Sequence, residues 1–208
     1  MNGVIRRSPV TRMHEALGAS LETEEGWQIV ARYGGEAGER ALLRESVALA
    51  DVTARGKVDV RGQVDGALSV AGDALTARVA EDWALVLTEP GGEEVLLPKM
   101  EQAADPRSMV TDATHLFAGF ALAGPSVPEV IARVTSWDPA TLSNRAATGA
   151  PIADVPAVLL GRELEVPVLE FYVAAEFARY VWESVLDAVR RVGGGPAGWR
   201  ALRAEGWA

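Results

Sequence analysis

The stretch that decides the fold is VTDATHLFAGFALAGPSV, Val110 to Val127. A second stretch, LADVTARGKVDVRG from Leu49 to Gly62, has nearly the same skeleton. In each, an aspartate is followed two places on by a threonine, then by a short apolar run and a glycine. The pairs are Asp51 with Thr53 and Asp112 with Thr114. The copies Asp51 to Gly62 and Asp112 to Gly124 differ by one residue in length. Short Asp and Thr side chains bond nearby backbone groups, so each pair reads as a cap that shapes the turn before a strand. A scaffold stated twice implies two related lobes whose sheets meet about a pseudo-dyad. A cleft or central opening between them is the natural ligand site.

The rest of the chain sets limits. Its 208 residues suit one compact domain of two similar lobes, about 26–98 and 110–192. With 49% hydrophobic and 24% charged residues it should fold rather than stay disordered. It has no cysteine, which removes disulfides and thiolate catalysis and points to the cytoplasm. The net charge of -9 and the scattered arginines argue against a nucleic-acid partner. MNGVIRRSPV lacks the apolar core of a signal peptide, and no apolar run is long enough to span a membrane.

Along the chain, residues 1–25 give only a helical turn around His14 to Leu17. GWQIVARY, Gly26 to Tyr33, reads as a strand. GGEAGERALLRESVALAD reads as a helix with Leu42, Leu43, Val47 and Leu49 on one side, ending near Asp51 and Thr53. GKVDVRG is a half-buried strand and QVDGALSVAG a short helix or turn. LTARV, WALVLTEP and EEVLLP form a small meander, and Lys99 to Met109 connects the lobes. Pro125 takes a first helical position, and Val127, Val130, Ile131 and Val134 supply that helix's apolar face. PATLSNRAATGAPIAD is turn-rich, and VPAVLLGRE pairs with EVPVLEFYV. The clearest helix is AAEFARYVWESVLDAVRRV. There Phe177, Tyr180, Val181, Val185 and Val189 face inward, and Trp182 lies off that stripe. GGGPAG ends it and WRALRAEGWA adds a last helical turn. The fold class is α+β.

Few polar residues suggest chemistry. His115 would need a partner to fix its tautomer, and Asp112 serves equally well as a cap. His14 is weaker, and two histidines so far apart do not argue for a metal. Phosphate loops and a serine nucleophile elbow are absent from the sequence, and no catalytic residue is assigned. Glu170 stands alone inside the apolar strand VPVLEFYV. If it points inward it must accept bonds from donors, and the two donors of a pterin or amidine edge would suit it. The alternative is the wet face of an edge strand.

Four segments in order then resemble the glycine cleavage T-protein (aminomethyltransferase) and sarcosine oxidase gamma subunit-like folate-binding family. GWQIVARY with ALLRESVALADVTARGKVDVRG is similar to its opening, and DATHLFAGFALAGPSVPEVIARVTSWD to its second lobe. VPVLEFYVAAEFARYVWESVLDA is similar to "G-F-E-[LI]-Y-V" and the helix after it, and GGGPAGWRALRAEGW to "P-x-G…L-R-x-E". The resemblance implies a two-lobed folate-binding α+β domain. It also implies tetrahydrofolate as cofactor, tetrahydrofolate-dependent one-carbon transfer, and Glu170 as the glutamate that holds the pterin. The family's "G-Y-T-G-E" tyrosine is replaced in LLGRELEVP. Glu93 and Glu94 fall roughly where the family has its "D-D" pair, and Trp199 or Leu202 where it has an arginine. A chain so altered, and without the family's C-terminal barrel domain, is expected to be weak or inactive alone. Trp182, Trp199 and Trp207 would then form an exposed aromatic surface, docking on a second copy or on a larger oxidoreductase or transferase subunit. In the alternative reading Trp199 and Trp207 fold back on their own lobe.

Overall fold

The computed structural model describes residues 4–138 and 146–207. In chain order the elements are β1 (Arg6–Arg7), α1 (Thr11–Ala16), β2 (Ser20–Glu24), β3 (Trp27–Arg32), α2 (Glu36–Glu45), β4 (Ala48–Asp51), β5 (Gly56–Arg61) and α3 (Val64–Leu68). They continue as β6 (Leu75–Ala80), β7 (Trp83–Thr88), α4 (Glu93–Ala103), β8 (Met109–Asp112), β9 (Phe117–Ala123), α5 (Val127–Val134) and β10 (Ala147–Ile152). The last are β11 (Val155–Glu163), β12 (Pro167–Ala174), α6 (Ala178–Arg191), β13 (Gly195–Pro196) and α7 (Trp199–Ala204). The strands make a three-stranded sheet β1-β3-β2, a six-stranded sheet β10-β11-β12-β9-β4-β13 and a four-stranded sheet β6-β7-β5-β8. The architecture is α+β, as expected. No helix among the described residues is long and apolar enough to cross a membrane.

The two copies of the repeat do not sit side by side; they exchange strands. β4, from the first copy, pairs antiparallel with β9 of the second, Ala48 opposite Ala123 and Asp51 opposite Phe120. β8, from the second, pairs antiparallel with β5 of the first, Met109 opposite Arg61 and Asp112 opposite Val58. Exchanging the copies maps one register onto the other, which is what a pseudo-dyad requires. The turns obey it too. Asp51 Oδ1 accepts from the Thr53 N–H at 2.8 Å, and Asp112 Oδ1 from the Thr114 N–H at 2.9 Å. The Val52 N–H donates to the Gly119 carbonyl at 2.9 Å, and the Ala113 N–H to the Lys57 carbonyl at 2.8 Å. The Thr53 hydroxyl accepts from the Gly119 N–H at 3.1 Å and donates to its carbonyl at 3.3 Å. The Thr114 hydroxyl accepts from the Lys57 N–H at 3.0 Å and donates to the Lys57 carbonyl at 3.5 Å. Each turn therefore clamps the first residues of the opposite copy's turn-to-strand junction.

At the crossing lies Lys57, wholly buried. Its Nζ donates to the carbonyls of Thr53 and Arg55, both at 2.8 Å, and of Thr114 at 3.4 Å. One ammonium thus stitches both turns together. Opposite it in the other copy stands Gly119, whose missing side chain is needed. A Cβ there would lie 2.6 Å from Cε1 of the Tyr172 ring.

Helices α1, α5 and α6 cover one face of the six-stranded sheet through Val130, Ile131, Trp182, Val185 and Val189. Its other face meets β3 and α7 through Trp27, Trp199 and Leu202. Helices α3 and α4 cover the four-stranded sheet through Val64, Ala67 and Met100, and Leu85, Leu87, Leu160 and Tyr172 fill the space between the two sheets.

Several sequence expectations need correction. The helix after Gly35 ends at Glu45, and Ala48–Asp51 is a strand. All four of its residues are buried because β4 lies inside the sheet, so it shows no alternation to betray it. EEVLLP is not a strand but the start of α4, which also takes in Lys99 to Ala103 of the expected connection. The helix accommodates Pro98 because its ring is on the exposed side and the carbonyl it leaves free belongs to exposed Glu94. Pro128, not Pro125, occupies the first turn of α5. Part of PATLSNRAATGAPIAD is the strand β10, and 139–145 lie outside the described residues. In α6 Trp182 is fully buried, while Tyr180, and Phe177 just before the helix, are exposed. Trp182 lies four residues after Ala178 and three before Val185, so ordinary helical spacing puts it on their buried face and Tyr180 on the other side.

Two outcomes follow from the crossing. Thr53→Val or Thr114→Val strands a buried N–H of the opposite copy, whose carbonyl keeps its backbone donor, so each should lower the unfolding free energy by about 1–3 kcal/mol in urea titrations. Burial lowers the Lys57 ammonium to about 7, although Asp51 and Glu93 favour its charge. An unfolded lysine holds its proton to about 10.4. Between those values the unfolded chain binds more protons, so stability should rise as pH goes from 7 towards 10. Lys57→Met should abolish that rise; an identical slope in both proteins would show that Lys57 does not titrate there.

Candidate functional site

Glu170 lies in β12, opposite Leu160 of β11 on one side and Ala121 of β9 on the other. Residues 168 to 173 of this inner strand are all buried, so Glu170 has no wet face to point to. It is wholly buried, and three groups compensate its charge. Arg162 Nη1 donates to Oε1 at 2.8 Å and the Tyr172 hydroxyl donates to Oε2 at 2.6 Å. Arg55 Nε stands 3.7 Å from Oε2. Burial alone would raise the Glu170 carboxyl. The Arg55 and Arg162 charges and the Tyr172 and Arg162 hydrogen bonds outweigh it and hold the group below the usual carboxylate range. Burial and the Glu170 charge push the Tyr172 phenol well above its ordinary value, so it stays a donor.

Trp207 closes this cluster. Its carbonyl accepts from Arg55 Nη2 at 3.4 Å and from Arg162 Nη1 at 3.5 Å. Its indole centroid is 5.5 Å from the Arg162 guanidinium carbon. Arg55 also reaches Glu89 Oε1 at 3.4 Å, but its buried Nε has no hydrogen-bond partner. The site thus gathers residues from the turn after β4, from β11 and β12, and from the segment after α7.

A second polar cluster lies elsewhere and had no signal in the sequence. His14, expected to be the weaker histidine, is buried with its Nε2 2.7 Å from Asp51 Oδ2. The Tyr33 hydroxyl is 2.7 Å from His14 Nδ1, and the His14 ring meets Trp182 edge-on with centroids 4.7 Å apart. The ionised carboxylate only accepts, so Nε2 presents its N–H to Asp51, and the Tyr33 hydroxyl holds the other ring nitrogen. Burial would raise the Asp51 carboxyl, but the His14 bond and charge, with Ser8 and Thr53, hold it low. This triad anchors α1 to the first Asp-Thr turn.

The other candidates scatter. His115 is exposed and stacks on Trp27 with ring centroids 5.2 Å apart. Asp112 caps the Thr114 N–H, as the cap reading expects. Glu93 and Glu94 pair with Arg6 at 3.3 and 3.1 Å. Trp182, Trp199 and Trp207 are all buried, so the exposed aromatic surface is not there; Trp199 and Trp207 pack within their own chain. Trp199 Nε1 donates to the Asp51 carbonyl at 2.9 Å. Among the described residues no group of three or more His, Asp or Glu is placed to hold a metal.

A pterin's amidine edge suits a buried ionised carboxylate in kind. Here, however, Arg162 and Tyr172 engage both Glu170 oxygens, and Trp207 lies against both arginines. In this arrangement the residues do not fit tetrahydrofolate, and no chemical step is derived through it.

Comparison with known proteins agrees with the architecture. The aminomethyltransferase of Saccharopolyspora erythraea is 26% identical over 223 residues, covering 93% of this chain and 60% of that protein. The chain thus spans about three fifths of the length of the curated relatives it matches. The glycine cleavage system aminomethyltransferase T of Bartonella henselae superposes with a TM-score of 0.81 at 19% identity, over 97% of this chain and 62% of the other. A chain of the heterotetrameric sarcosine oxidase of Corynebacterium sp. U-96 gives 0.66 at 19% identity, over 91% of this chain and 97% of the other. The GCVT N-terminal domain family model matches residues 65–206. With most of its length inside that match, this chain belongs to the GCVT N-terminal domain family.

Proposed function

We propose that this chain is a folate-binding subunit of a one-carbon-transfer complex, working with a larger oxidoreductase or transferase subunit. The observation that carries this reading is Glu170: a buried, ionised carboxylate set into an apolar strand beside the crossing of the two copies. A buried charge is costly, and a purely structural strand would do as well with an apolar residue there. Membership of the GCVT N-terminal domain family supports the reading. Chemistry is assigned to no residue of this chain. A second reading, a non-catalytic interaction domain of the same fold, draws on the engagement of both Glu170 oxygens.

Calorimetric titration with 5-formyltetrahydrofolate, a stable reduced folate, tests the proposal. The wild-type chain should bind, and Glu170→Gln should bind roughly tenfold to a hundredfold more weakly, equivalent to losing about 1.5–3 kcal/mol of charge-assisted bonding. The same substitution leaves Arg55 and Arg162 without their shared counter-ion, so circular dichroism must first show that the variant is folded. No binding at millimolar ligand would reject the folate reading and leave the interaction domain.

A further inference from the structure

We propose that Trp207 is an internal occupant of the Glu170 site, a strap that must swing out before a ligand enters. The proposal rests on the folate reading above and says what gates that site.

Three features of Trp207 make it an occupant rather than ordinary packing. It offers a planar bicyclic ring against the Arg162 guanidinium. It places a carbonyl oxygen between Arg55 Nη2 and Arg162 Nη1, the two arginines that share Glu170. Both carbonyl bonds are long, at 3.4 and 3.5 Å, and Arg55 Nε beside them is buried with no hydrogen-bond partner. A tailored structural lid would satisfy that donor. A planar bicyclic heteroaromatic bearing a carbonyl oxygen, as a pterin does, would present similar groups to the same arginines.

The strap is built to move. After α7 the chain turns at Gly206, with φ +75, where the left-handed backbone favours glycine. The Gly206 N–H donates to the Arg203 carbonyl at 3.1 Å and the Trp207 N–H to the Leu202 carbonyl at 3.1 Å. This paired ending aims Trp207 back at the core beside Leu202. The helix itself is anchored by Trp199 on the Asp51 carbonyl, so Gly206 can hinge while α7 stays in place. Just before the hinge, Glu205 bridges Arg40 Nε at 2.7 Å and Arg44 Nε at 3.0 Å. Both arginines are partly or largely in solvent, so the latch is weak and screened by salt.

The test uses the full chain, 5-formyltetrahydrofolate and three proteins: wild type, Trp207→Ala and Glu205→Gln. If closure holds the site shut most of the time, the apparent dissociation constant is raised by the inverse of the open fraction. Trp207→Ala should then bind about tenfold or more tightly than wild type, and Glu205→Gln, which spares the core, several-fold. In the wild type, saturating ligand should speed hydrogen exchange at the Gly206 and Trp207 amides. Equal affinities with unchanged exchange would overturn the strap and leave the folate reading intact. Weaker binding by Trp207→Ala would make Trp207 a wall of the site and also overturn it. Absence of binding by all three would overturn the folate reading and the strap together. Should Trp207→Ala fail to fold, Glu205→Gln and the exchange measurement decide alone.

Discussion

The structure depends on one arrangement, the reciprocal grip of two Asp-Thr turns with the Lys57 ammonium between them. Each threonine hydroxyl satisfies the backbone of a residue in the other copy, Gly119 in one case and Lys57 in the other. Buried backbone groups at a strand crossing have no water to fall back on, so these hydroxyls replace ladder bonds where the strands part. Lys57 adds bonds to three carbonyls that converge from both turns. Burying an ammonium is unfavourable, and the carbonyls offset that only in part, as its lowered affinity for the proton shows. What the bond set secures is register: β4 can meet β9, and β5 can meet β8, in one alignment only.

The doubled skeleton was legible because it is local. Asp, Thr and Gly at fixed offsets dictate turns from within a few residues. Boundaries were less so, because tertiary burial overrode local pattern. VALAD lacks the alternation of a half-buried strand for the reason that both its faces are covered. EEVLLP reads as the last strand of a meander but starts α4, whose Pro98 sits on the outer side beside exposed Glu94. Trp182 looked off-stripe, yet it is four residues from Ala178 and three from Val185 and shares their buried face. The cover over β4 and the packing around α6 come from segments far away in the chain.

The candidate site divides the same way. Glu170 could be found because an acid in an apolar strand conflicts with its neighbours, and such a conflict is visible in eight residues. Its partners could not. Arg55 comes from the first turn, Arg162 from the adjacent strand and Trp207 from beyond α7, and only the crossing brings them together. The Tyr33–His14–Asp51 triad joins three segments with no shared spacing. Nothing near His14 in the sequence marks it. The only hint concerns Asp51, which has a twin in Asp112 and so invites the question of what distinguishes them.

What distinguishes them is how the copies have divided the work. In the first copy Asp51, Arg55 and Lys57 are all buried and charged or hydrogen-bonded. Their counterparts Asp112 and Leu116 are exposed, and the third counterpart is Gly119, with no side chain at all. The two sets depend on each other. Tyr172 can lie across Gly119 only because nothing projects there. From that position its hydroxyl reaches Glu170, whose remaining charge is balanced by Arg55 from the other copy. A symmetric ancestor with a lysine in both places would exclude the tyrosine ring, and one with glycine in both would leave the two turns without their shared ammonium. The polar site therefore lies where the pseudo-symmetry is broken, and the fold tolerates the breakage because the backbone clamps that define the dyad remain intact in both copies.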